Sequence, residues 1–235
     1  MKYKGKVIRH ELKYFINEHE YLYLRNRLKE GLLVDKNGDE NNSYHIRSLY
    51  FDDIYETAYK EKEMGVQFRR KYRIRIYNIE DHIIKLERKN KYDSYINKDA
   101  VSITKEEFYK ILDKDYDFLL ERNNPLLRDF YVECKANLLA PKIIVDYDRE
   151  AYILPEGNVR ITFDKQLRAG ISSFDIFDKD VITKRIFQEP IMIMEVKYDS
   201  YLPEHVKNLI QICSHNISAA SKYVLCTKVT KNLKY

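Results

Sequence analysis

Residues 68–89 read F-R-R-K-Y-R-I-R-I-Y-N-I-E-D-H-I-I-K-L-E-R-K, a pattern that fits two strands joined by a turn near Glu80-Asp81-His82. Alternate side chains of a strand share a face. Lys71, Arg73 and Arg75 therefore point one way, while Tyr72, Ile74 and Ile76 point the other. After the turn, Lys85, Glu87 and Lys89 share a face, opposed to Ile84 and Leu86. A row this cationic repels itself unless water or a polyanion lies against it.

The same alternation recurs along the chain. Arg9, Glu11 and Lys13 oppose Ile8, Leu12 and Tyr14; Arg160, Thr162 and Asp164 oppose Ile161 and Phe163; Glu195 and Lys197 oppose Met194 and Val196. Strands are expected at 7–15, 44–51, 142–152, 158–164 and 190–198. The stretch 142–152 fits less cleanly, because Arg149 shares parity with Val145, Tyr147 and Ala151. Between the strands lie helix signals. Asn17 with Glu20, and Thr104 with Glu107, are capping boxes that open helices carrying Leu24, Leu28 and Leu32, and Phe108, Ile111 and Leu112. Pro125 suits a first helical position, with the helix running to about Asn137. Pro203 opens a helix with Val206, Leu209, Ile210 and Cys213 on one side, and a last helix is expected from Ser218 to Leu233. Residues 35–43 form a polar loop, and 165–188 read as either a hairpin or a surface excursion. No Pro/Gly/Ser-rich linker divides the chain, so one domain over 1–235 is expected.

Composition narrows the class. The chain has 235 residues with 34% charged side chains, yet its net charge is only +5, so the distribution of charge matters more than its sum. Cys134, Cys213 and Cys226 are far apart and form no C-x-x-C pair, which suggests reduced thiols in a cytoplasmic protein. The N-terminus has no apolar h-region, and no apolar run approaches the roughly 18 residues of a membrane span. The 21 tyrosines could stack on bases or could reflect biased composition. No G-x-x-x-x-G-K-[ST] or G-x-G-x-x-G occurs among only six glycines, so a backbone-amide phosphate cradle is not expected. His10-Glu11 lacks the second histidine of H-E-x-x-H, and no G-x-S-x-G is present.

One-sided strands commonly leave their polar face wet, and an open antiparallel sheet would satisfy the pattern. Here, however, several strands carry Arg and Lys on one face with few carboxylates. Five such strands could close into a barrel with helices over its apolar outside and a polar bore. Crowded like charges between low-dielectric walls are costly without a counter-ion. A chain of phosphates fits guanidinium forks bidentately. The few glutamates then suit a divalent metal, which prefers oxygen and bridges phosphates.

R-H-E-L-K-Y (9–14), I-R-S-L-Y-F-D (46–52), Y-R-I-R-I-Y (72–77), K-L-E-R-K (85–89), V-D-Y-D-R-E-A-Y (145–152), V-R-I-T-F-D (159–164), M-E-V-K-Y (194–198) and A-S-K-Y (220–223) resemble, in order and spacing, the vacuolar transporter chaperone (VTC) domain of the triphosphate tunnel metalloenzymes. The resemblance implies an α+β fold, an antiparallel β-barrel tunnel with helices packed outside. It also implies a polyphosphate polymerase that extends inorganic polyphosphate from ATP with Mn²⁺ or Mg²⁺. Carried over motif by motif, Arg73, Arg75, Lys89, Arg149 and Arg160 would be catalytic, and Lys13, Lys222, Lys85 and Lys197 would bind substrate. Glu195 would hold the metal, with Glu11 and Glu87 in support. The hydrolytic and cyclase branches open with E-x-E-x-K, whereas Arg9 stands at the first glutamate here; that exchange favours holding a long polyanion. Hydrolysis in the same tunnel and non-catalytic polyphosphate binding stay open as alternatives. A narrow bore would admit phosphates but not stacked bases, so no nucleic-acid partner is expected. The sequence carries neither the helical N-terminal domain nor the membrane spans of the eukaryotic members. That leaves room for a membrane-protein partner, and oligomeric state is open.

Overall fold

The computed structural model describes residues 9–93, 95–211 and 217–232 in full, and the backbone alone at 2–3 and 6–7. A short hairpin of β1 (Lys2–Tyr3) and β2 (Lys6–Val7) precedes β3 (Arg9–Ile16). The chain continues through α1 (Glu18–Gly31), β4 (Leu33–Val34), β5 (Ser43–Asp52), α2 (Thr57–Glu63), β6 (Phe68–Tyr77), β7 (Lys85–Tyr92) and β8 (Tyr95–Ser102). Then come α3 (Lys105–Leu112), α4 (Pro125–Ala136), β9 (Ala140–Leu154), β10 (Val159–Gly170), β11 (Thr183–Arg185), β12 (Met192–Tyr198), α5 (Glu204–Leu209) and α6 (Lys222–Lys231).

Eight of these strands pair antiparallel in the order β10-β12-β3-β8-β7-β6-β5-β9, and β9 pairs again with β10, so the sheet closes on itself. The seam is β3 with β8, joined among the described residues through Arg9–Ile96 and His10–Tyr95. Register carries the inward faces around the ring. Tyr50 lies beside Arg73, Arg73 beside Glu87, Thr162 beside Glu195, and Glu195 beside Lys13. The open, wet sheet is thereby replaced by a ring whose charged faces look at one another.

The outside is apolar and covered. Leu24 and Leu28 of α1 are fully buried with Phe163, Tyr152 and Val196, each worth roughly 1.5–3 kcal/mol of transfer free energy. Both expected capping boxes are present, Asn17 with Glu20 and Thr104 with Glu107. Asn124 caps α4 with Pro125 in its first turn. Phe108, Ile111, Leu127 and Phe130 from α3 and α4 cover the β5–β6–β7 wall. α6 instead packs on the inner side of the ring, where Tyr223, Val224 and Cys226 cluster with Tyr50 of β5 and with Ile143 and Val145 of β9.

Several boundaries differ from expectation. Val7 belongs to the first hairpin, not to β3. The strand expected at 158–164 runs on to Gly170, where it pairs with β11; residues 165–188 are thus a hairpin whose connection is the excursion, with Ile176 and Val181 buried. The last helix starts at Lys222 rather than Ser218. Cys213 and Leu233 lie outside the described residues.

The parity conflict at 142–152 has a physical cause. Arg149, Tyr147 and Val145 all face inward, and the outward positions Asp146 and Glu150 are buried charges rather than surface. Asp146 takes both ends of the Arg47 guanidinium at 2.8–3.2 Å, and Arg47 also donates to the Ile176 and Asp178 carbonyls. This pair ties the excursion to the ring. Glu150 accepts from Tyr21 and Tyr152 (2.5 Å each) and from Arg25 (2.8 Å), fastening α1. Removing one partner of a buried pair strands the other. Asp146→Ala should therefore cost about 3–5 kcal/mol in denaturant unfolding. Asp146→Leu combined with Arg47→Met should recover most of that loss.

Candidate functional site

The inward face of the ring encloses a cavity of about 170 Å³. Eleven lysine and arginine side chains line it against two carboxylates, Glu11 and Glu195. Of the residues expected from sequence, Lys13, Arg73, Arg75, Lys89, Arg149, Lys197, Lys222, Glu11 and Glu195 meet here. They come from β3, β6, β7, β9, β12 and the first residue of α6, which turns its N-terminus into the bore.

Each carboxylate is wrapped by cations. Glu195 lies 2.7 Å from Lys222, 3.0 Å from Lys197, 3.4 Å from Lys13 and 3.8 Å from Arg149. Burial pushes its pKa up, but those four cations outweigh burial and hold it well below the ordinary glutamate value. Glu11 lies 2.7 Å from Lys89 and 3.6 Å from Lys13. Against the upward push of burial, Lys13 and Lys89 lower it to about 2. Asp164 grips the Arg149 fork at 2.6 and 2.8 Å and pairs with Lys222. Burial alone would lower Lys222, yet Asp164 and Glu195 raise it above the ordinary lysine range.

Not every cation is compensated. Burial pulls Lys89 down to about 7 despite Glu11. Among the described residues Lys71 has the Ser221 hydroxyl (2.9 Å) and the Tyr223 ring (5.3 Å) as close partners, and burial with Lys13, Lys89 and Arg69 drives it well below its usual value. Arg75 donates to Ser48 at 3.1 Å and to the Tyr147 hydroxyl at 2.8 Å, neither a charge. The site is built for anions that neutralise what its own carboxylates do not.

Three expected residues stand elsewhere. Arg160 is drawn off the axis by Asp35 (2.5 Å) and the Tyr44 hydroxyl (2.9 Å). With Lys85, Tyr77 and His82 it borders a separate cavity of about 410 Å³ at the opposite end of β5, β6 and β7. Arg160 and Lys85 thus border this separate cavity rather than the central cluster. Glu87 is fully buried beside the cavity, where it accepts from Arg73 at 2.7 Å and from Lys98 at 2.6 Å, so it fixes a guanidinium. Arg9 sits at the rim, paired with Asp199 at 3.1 Å, and does not line the cavity. Sequence reasoning missed Arg69 and Lys91, which merely extend the alternation of β6 and β7, and Tyr50 and Tyr147, whose hydroxyls accept from Arg73 and Arg75. It also missed Lys62, contributed by α2 with no local signal.

Among the described residues no group of three or more His, Cys, Asp or Glu side chains is arranged to hold an ion. Glu195 and Glu11 are nonetheless hard oxygen donors flanking Lys13, and the Thr162 hydroxyl, the register neighbour of Glu195, is buried without a hydrogen-bond partner. One or two carboxylates completed by waters and substrate phosphates is how Mg²⁺ is usually held. The residues fit that arrangement, with Glu195 and Glu11 as the protein's share.

The VTC domain family model matches residues 8–231. The chain belongs to the VTC domain family. No curated protein matched the chain. Among solved structures, a Hippeastrum protein reported as a candidate adenylyl cyclase with a dominant triphosphatase activity aligns with a TM-score of 0.57 at 14% identity, covering 94% of this chain and 95% of its own. A candidate adenylate cyclase from Bacillus halodurans aligns with a TM-score of 0.49 at 14% identity, covering 90% and 96%. The first likeness shows the fold: this VTC domain is a mixed α+β tunnel of ring-paired antiparallel strands. No helix among the described residues is long and apolar enough to cross a membrane.

Lys71 gives the site a pH signature. Its folded pKa lies below the ordinary value, so an alkaline solution leaves it partly neutral. An anion seated beside it raises that pKa and draws a proton in. Inorganic tripolyphosphate should therefore bind with net proton uptake on the alkaline side of neutrality and weaken as pH rises. Calorimetry in two buffers of different ionisation enthalpy measures the uptake, and Lys71→Arg should reduce it.

Proposed function

We propose that this VTC domain is a polyphosphate polymerase, transferring the γ-phosphoryl group of ATP to the end of an inorganic polyphosphate chain. The observation that carries the reading is the enclosed cavity in which eleven cations face two carboxylates. A terminal phosphate oxygen of the bound chain attacks the γ-phosphorus. The bond from that phosphorus to the β–γ bridging oxygen breaks, and ADP leaves with the electron pair. Such chemistry asks for positioning and charge stabilisation, not for a side-chain nucleophile.

Arg73 and Arg75 would hold the equatorial oxygens, Arg73 braced by Glu87 and Tyr50, and Arg75 by Tyr147 and Ser48. Lys13, Lys89, Lys197 and Lys222 neutralise the remaining phosphates. Glu195 and Glu11 would hold a divalent ion, Mn²⁺ or Mg²⁺, which would supply Lewis-acid stabilisation of phosphate charge. The separate cavity bordered by Lys85 and Arg160 would then receive the advancing chain.

The competing reading is triphosphate hydrolysis, the dominant activity reported for the Hippeastrum protein; water would then take the attacking position. Incubation with ATP and Mn²⁺ followed by electrophoresis separates the two. Long phosphate chains with ADP support polymerisation, whereas orthophosphate alone rejects it. Arg75→Ala and Glu195→Gln should each reduce chain formation about 100-fold or more while retaining cooperative unfolding. Normal product from both would overturn the site assignment.

A further inference from the structure

Lys71 is crowded by other cations. It is the register partner of Lys89 on β7 and shares its face of β6 with Arg69 and Arg73. Its amine donates to the Ser221 hydroxyl at 2.9 Å and lies 5.3 Å from the centre of the Tyr223 ring, neither of them an anion. The two carboxylates of the cavity are engaged elsewhere, Glu11 by Lys89 and Lys13, Glu195 by Lys222 and Lys197. A desolvated ammonium among like charges gives up its proton readily, and the pKa of Lys71 is lowered accordingly. Lys89 differs, because both Glu11 oxygens hold its nitrogen, at 2.7 and 3.0 Å.

We infer that Lys71 is a reactive amine that condenses reversibly with phosphate-bearing aldehydes, and that the adduct closes the tunnel. A neutral, desolvated lysine is a nucleophile toward carbonyl carbon. The surroundings select for phosphate on the same molecule. Lys71 borders both the central cavity of about 170 Å³ and a wider concavity of about 650 Å³ at its rim. A phosphate ester seated on Lys13, Arg73 and Lys89 leaves the organic part for the wider space, with the carbonyl carbon beside the amine. The nitrogen lone pair attacks that carbon, and the carbonyl π pair moves onto oxygen. One nitrogen proton passes to the oxygen, a transfer for which the Ser221 hydroxyl is already in contact with the amine. The carbinolamine then loses water. Amine and aldehyde thus give imine and water, with no oxidant or reductant, and hydrolysis reverses the step. The inference needs only the cavity and its charges, and holds whether the tunnel polymerises phosphate or hydrolyses it.

The native chain is incubated with pyridoxal 5′-phosphate or with 5′-deoxypyridoxal at equal concentration, reduced with borohydride and mapped by peptide mass spectrometry. The label should fall on Lys71 and disappear when inorganic tripolyphosphate fills the tunnel. It should be about 10-fold or more stronger with the phosphorylated aldehyde, the worth of one charge-assisted hydrogen bond. Lys71→Arg, checked for cooperative unfolding, should lose that label; the map of the native chain decides the matter alone where the variant does not fold. Labelling of Lys62, Lys89 or Lys91 in place of Lys71, equal labelling by the two aldehydes, or a label that tripolyphosphate does not displace would each overturn the inference. Labelled Lys71 in a chain that makes no phosphate polymer would instead sustain it and reject polymerisation.

Discussion

Like charges forced together inside a closed wall are the constraint on which the rest of this structure depends. Once eight strands form a ring, every inward Lys and Arg shares a confined space of low dielectric. Glu11, Glu87, Asp164 and Glu195 are the fold's partial answer. Each touches at least two cations. Their number is too small to neutralise the bore, and the depressed pKa values of Lys71 and Lys89 record the deficit. An apolar core could have been built more cheaply. A surplus of this kind is stabilised by an anionic occupant, and that occupant is the function.

The outer face obeys the complementary rule. Buried charges there occur as closed sets, Arg47 with Asp146 and Glu150 with Tyr21, Tyr152 and Arg25. They fasten the 171–182 excursion and α1 to the ring, so the wall behind the site stays fixed. The same residue types thus serve two ends, satisfied outside and deliberately short of partners inside.

Much of this was legible in the residues. Period-two alternation at 9–13, 71–75, 85–89 and 195–197 named most of the charged lining side chains, because a strand's parity fixes its face. Where alternation failed, sequence reasoning failed with it. β8, Y-I-N-K-D-A-V-S, shows no apolar face, since Asn97 and Asp99 on its outer side pair with Asn90 and Arg88. α2 buries only Ala58 and so leaves no helical stripe, which hid Lys62. Arg160 has the parity of a lining residue, but Asp35, 125 positions away, turns it toward the separate cavity beside Lys85. Parity chooses a face; a distant carboxylate chooses where along the bore a long side chain ends.

The claim that the bore requires an anion is tested most directly by thermal unfolding with inorganic tripolyphosphate against KCl at matched ionic strength. Ligand at about 100 times its dissociation constant adds roughly 2.7 kcal/mol, which for a chain of this size raises Tm by about 5–10 °C. The account predicts that rise with tripolyphosphate and little change with KCl. Equal shifts from both, or none from tripolyphosphate, would contradict it.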